Sequence, residues 1–143
     1  MAKCPEDRAA LLEAAASGNP KFFLGSDSAP HPTQDKRRGP HGKDSPGVFT
    51  APYVVPLVLD ALEEGCRHGL RPERLTHRNI AGFLSGFGRT FYKIDQDTSM
   101  GNSTIIIGTH DAVQIPEVIT NSNKTIAVVP FRTGQYTRGV KWT

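Results

Sequence analysis

Asp27 and His31 are the side chains in this sequence best placed to do chemistry. Three residues separate them, Ser28, Ala29 and Pro30, of which two are small and the third stiffens the backbone. They follow Phe22, Phe23 and Leu24, an apolar run of the kind found in a strand buried on both faces of a parallel sheet. Gly25 ends that run and frees the backbone to turn. In α/β proteins, polar groups just past the carboxyl end of a strand read as catalytic. A buried strand closed by a structural Asp-Ser turn has the same pattern, so the residues alone leave both readings open.

Several further segments narrow the choice. FFLGSDSAPH at 22–31 and GVFTAP at 47–52 resemble the last-strand segment of the dihydroorotases of the single-function bacterial and fungal type, members of the amidohydrolase superfamily. The likeness continues in FGRTFY at 87–92, IPEVI at 115–119 and VVPFRTGQYTRGVKW at 128–142. It therefore runs through nearly the whole chain in order, with DSAPH its most specific element, and it matches only the last third or so of such an enzyme.

That resemblance implies a fold and a reaction. The fold is α/β: the carboxyl-terminal fragment of a TIM-barrel metal-dependent hydrolase, with its last helix–strand unit, closing helices and a β-rich tail. Residues 1–94 are assigned to the barrel part, with an active-site loop at 26–50, and residues 95–143 to a carboxyl-terminal extension. The implied reaction interconverts carbamoyl aspartate and dihydroorotate in pyrimidine biosynthesis, with two zinc ions as cofactor. Asp27 corresponds to the residue that ligates one metal and moves the proton, and His31 to the residue that holds the substrate carboxylate. Main-chain groups just before GVF hold the ring in the family. The matching position is Pro46, which keeps a carbonyl but has no N–H to donate.

The other metal ligands implied by the family have no counterpart. No His-X-His pair occurs, and the five histidines are His31, His41, His68, His77 and His110. His68 beside Cys66 is read as a surface residue ending a helix, His41 as a loop residue, His77 as a helix-start residue and His110 as a turn residue. Taken alone, the chain is expected to lack a complete active site and to hold no stoichiometric zinc. A non-catalytic paralogue acting as an interaction module is the rival reading, and a homodimer or pairing with a full-length relative the expected association.

Composition sets the outer bounds. The chain has 143 residues, enough for one domain with a core, whereas a complete (β/α)8 barrel takes ~250. A formal charge of +3 makes no case for nucleic acid, although Lys36, Arg37 and Arg38 are consecutive; they read as part of a solvated loop. Nothing approaches the ~18 successive apolar residues of a membrane span, and the first residues lack the apolar core of a signal peptide. Cys4 and Cys66 are read as reduced thiols, and the chain is expected to be cytoplasmic.

The positioning elements follow from local signals. Pro5, Glu6 and Asp7 open a helix that Gly18 closes. Residues 31–45, rich in proline, glycine and charge, read as a loop. A broadly apolar helix follows Pro52 and begins to end at Glu63, Glu64 and Gly65. Thr76 caps another that ends at Gly86 or Gly88. Residues 95–103 read as loop, 104–107 and 125–129 as strands, 131–135 as a turn, and 136–142 as a strand.

Overall fold

A computed structural model describes residues 4–37, 45–94 and 104–143. The expected loop at 95–103 and His41 lie outside the described residues. The described residues form two compact units, one within 1–25 and 57–104 and the other within 26–56 and 105–143.

The first unit is helical. Helix α1, Pro5–Ala16, starts as expected, with proline in its first turn and the Cys4 N–H donating to the Asp7 carboxylate at 3.3 Å. Gly18, at φ 72°, supplies the left-handed residue that ends it. Helix α3, Val54–Arg67, stops two residues past Gly65, whose carbonyl accepts the N–H groups of His68 and Leu70, each at 2.9 Å. A Cβ on Gly65 would stand 2.9 Å from Leu12 Cδ1, so the glycine also admits a close approach of Leu12. Ala16, Leu62 and Leu70 form the buried core, with Leu12, Val58, Leu75 and Ile80 against them.

Thr76 caps α4, His77–Ala81, as the sequence indicates, its hydroxyl accepting the Asn79 N–H at 3.2 Å. The chain does not stop at Gly86 or Gly88. It passes through a π-helical turn, Gly82–Gly86, into α5, Phe87–Phe91. Gly82 is buried beneath the Phe87 ring, which occupies the space a Cβ would need.

Residues 22–24 are a correction. Among the described residues they join no β-ladder, and Phe22 is 46% exposed rather than buried on both sides. A strand of this type exists only through its neighbours, and among the described residues no parallel one is supplied. The Leu24 N–H instead donates to the Phe83 carbonyl at 2.9 Å, and Phe23 packs on Phe91 and Tyr92 with ring centroids 5.2 and 5.9 Å away.

The second unit is built on short extended segments. Ser28 bridges Val48 and Phe49 bridges Pro130, both in parallel. Strand β1, Ile105–Gln114, pairs antiparallel with β4, Tyr136–Trp142, and β2, Ile119–Thr120, with β3, Ala127–Val128. β1 is longer than the sequence suggests. Residues 108–111 bulge between the Ile107–Val140 and Ala112–Arg138 pairs, and Gly139 makes room for the Asp111 backbone. His110, expected in a turn, is therefore a strand residue. Ile115 is fully buried, donating to the Gln135 carbonyl at 2.9 Å and accepting from Gly134 at 2.9 Å.

Candidate active site

Asp27, His31 and Pro46 all belong to the second unit. Asp27 is exposed, at φ 43°, a left-handed conformation in which a non-glycine residue costs of order 1–3 kcal/mol. The residues on either side over-determine it. Ser28 Oγ accepts the N–H groups of Thr50 at 3.0 Å and Ala51 at 2.9 Å, and the Ala29 N–H donates to the Val48 carbonyl at 3.0 Å. Thr50 Oγ1 reaches the Ser26 carbonyl at 3.4 Å. The DSA segment is thus stitched in parallel to VFTA, the two motifs the sequence singled out.

That pairing brings Gly47 against His31. Gly47 has φ 115°, and a Cβ built on it would lie 2.6 Å from Ala29 Cβ, 3.0 Å from the Ala29 carbonyl oxygen and 3.6 Å from His31 Cδ2. Only glycine fits here, on grounds of both backbone conformation and space. Pro46 is therefore one residue from a glycine whose side, were it to carry a Cβ, would reach the imidazole ring. Chemically the segment presents an exposed carboxylate, a half-buried imidazole and a main-chain carbonyl on one pair of stitched loops.

Lys36 is a neighbour of the candidate site that the sequence did not reveal. Its basic neighbours suggest a solvated loop, but residues 33–37 form a short helix, α2, and the Lys36 ammonium donates to the Ser45 carbonyl at 2.9 Å and to the Gly47 carbonyl. No local signal marks it, because the contact spans residues 38–44. Thr33 Oγ1 also ties α2 to the Ala127 carbonyl at 2.8 Å.

Other chemical candidates lie elsewhere. His68, exposed at the end of α3, pairs with Glu64 at 3.0 Å, as a surface residue would. The hydrogen bonds from His68 and then Arg67 hold the Glu64 carboxyl below its ordinary value. Cys4 and Cys66 are free, and His77 opens α4. A cavity of about 790 Å³ between α1 and the end of α3 is lined by Cys4, Arg8, Leu12, His68 and Leu70 and contains none of the site residues.

The donor set does not fit two zinc ions. Among the described residues no three His, Cys, Asp or Glu side chains come together, and one carboxylate falls short of the four ligands zinc takes. Likewise, among the described residues no helix is long and apolar enough to cross a membrane.

The chain matches no protein-family model. It is 35% identical over 143 residues to the dihydroorotase of Saccharomyces cerevisiae, covering 99% of this chain and 36% of that protein. It is also 37% identical over 132 residues to a probable dihydroorotase of Schizosaccharomyces pombe, covering 92% and 33% respectively. The crystal structure of the S. cerevisiae dihydroorotase in complex with 5-fluoroorotic acid superposes with a TM-score of 0.78 at 34% identity, over 99% of this chain and 36% of that one. The chain thus spans about a third of the length of the curated relatives it matches. By sequence and by fold alike, the chain matches a carboxyl-terminal portion of the dihydroorotases.

Proposed function

We propose that this chain forms the substrate-holding part of a cyclic amide hydrolase that interconverts dihydroorotate and carbamoyl aspartate. The supporting observation is the stitched pair of loops that sets Gly47 against His31 beside Asp27. Asp27, exposed on a rigid turn, takes the proton of the attacking oxygen and returns it to the departing amide nitrogen, which is general acid–base work. His31 holds the substrate carboxylate by a charge-assisted hydrogen bond. Pro46 offers its carbonyl to a ring N–H, and any contact needing a donor at that position is lost. Among the described residues Asp27 is the one in line to ligate zinc; a complete set of ligands would draw on the rest of such an enzyme, and this chain alone is read as inactive. The division into a barrel part, 1–94, and an extension, 95–143, belongs to the same reading, as do a cytoplasmic setting and association as a homodimer or with a full-length relative.

The test is a chimera in which this chain replaces the matching third of the S. cerevisiae dihydroorotase. Asp27→Asn should lower kcat by roughly 10²- to 10⁴-fold, the usual contribution of a positioned acid–base group. His31→Ala should instead raise KM, by about 10- to 150-fold for a lost charge-assisted hydrogen bond. An Asp27→Asn chimera with near-normal kcat would remove Asp27 from the chemistry.

A further inference from the structure

A lysine on a short surface helix ordinarily leaves its ammonium in water, where it is strongly hydrated. Lys36 does not. Its ammonium bonds the carbonyls of Ser45 and Gly47, two residues apart, which a single Nζ reaches only when that backbone is held in one course. The Ser45 N–H donates back to the Asp35 carbonyl at 3.2 Å. The returning chain is thus pinned to α2 at three points, and the pinned residues flank Pro46. Beyond them, Gly47 lies against Ala29 and His31, and the Val48 carbonyl accepts the Ala29 N–H.

We propose that Lys36 is a positioning residue: it clamps the backbone on both sides of Pro46 so that Gly47 stays seated on His31. With the Ser45 and Gly47 carbonyls committed to the ammonium, His31 and the Pro46 carbonyl are left to act together on one anionic, amide-bearing ligand. This last step rests on the function proposed above; the clamp itself does not. A methionine at 36 keeps the stem and loses all three donors, whereas arginine keeps a charged donor of similar reach.

The test uses the full chain, isotopically labelled, as the original sequence and as Lys36→Met and Lys36→Arg. Amide hydrogen exchange is read at Ala29, with Ile80 in α4 as an internal control for general unfolding. The His31 ring resonances are followed on titration with dihydroorotate. Lys36→Met should speed Ala29 exchange about tenfold, the low end for hydrogen bonds to a charged group, since these are partly exposed. Ile80 should be unchanged, and Lys36→Arg should restore protection. The dihydroorotate response of His31 should weaken by a similar factor in Lys36→Met and recover in Lys36→Arg. Unchanged Ala29 exchange, or an arginine variant no better than methionine, overturns the proposal. If Ala29 responds as stated while even the original chain shows no ligand response, the clamp stands and the substrate reading falls.

Discussion

Replacing Gly47 with alanine probes the candidate site at its tightest point. Two costs apply. The first is conformational: φ 115° is a region that side-chain-bearing residues rarely adopt, at about 1–3 kcal/mol. The second is steric: the new methyl would sit 2.6 Å from Ala29 Cβ and 3.0 Å from a backbone oxygen, neither of which can swing away. Overpacking of that kind costs typically 1–3 kcal/mol. The sum is about 2–6 kcal/mol, a large part of the ~5–15 kcal/mol that holds a domain together. Gly134 separates the two terms. It also has positive φ, 76°, but nothing lies within 4 Å of its added Cβ, so Gly134→Ala bears only the conformational cost. Urea unfolding of the two variants beside the original chain reads the difference. Gly47→Ala should lose at least about 1 kcal/mol more than Gly134→Ala. Equal losses, or a Gly47→Ala loss under about 0.5 kcal/mol, the range of neutral surface changes, would mean that the two loops are not packed as described.

Two further outcomes test the first unit. Asn79, half-buried, donates to the Ala16 carbonyl at 3.1 Å and the Arg74 carbonyl at 2.9 Å, so it satisfies an orphan carbonyl at the buried end of α1. Asn79→Ala should cost about 1–3 kcal/mol in urea unfolding, and a loss below ~0.5 kcal/mol would contradict that role. Glu64 gives a pH signature. Its folded pKa is held below the ordinary 4.5 by His68 and then Arg67, so its contribution is present above that value and fades as pH falls through the lower, folded one. Carbon NMR should find its midpoint below 4.5, moving up in His68→Ala, and a midpoint unaffected by that change would refute the pairing.

What was legible in the sequence had a local cause. Pro5 with two acids, Gly18, and Thr76 three residues before Asn79 each act within one turn, and the structure uses each as expected. The motifs at 27–31 and 47–52 are both visible in the sequence, and the structure joins them through Ser28 and Ala29. The misreadings share the opposite character. Residues 22–24 have the composition of a barrel strand, yet strand pairing depends on partners, and here the Leu24 N–H goes to Phe83. Gly86 and Gly88 read as helix ends, yet the chain runs on through a π-helical turn into α5, where the Phe87 ring packs on Gly82. Lys36 was submerged in a basic run, and only a contact across the 38–44 segment distinguishes it from its neighbours.

Residues 22–24 and the exposed Phe22 also bear on the central claim, since an apolar segment that joins no β-ladder among the described residues is a template for pairing. The most direct measurement is complementation in trans. The S. cerevisiae dihydroorotase lacking the third that this chain matches is mixed with this chain, and dihydroorotate hydrolysis is assayed alongside the mass of any complex. The account predicts a one-to-one complex with turnover that neither piece has alone and that Asp27→Asn removes. A chain that stays a monodisperse monomer, melts sharply and reversibly by itself, and restores no turnover would contradict it, and would mark the chain as an independent module instead.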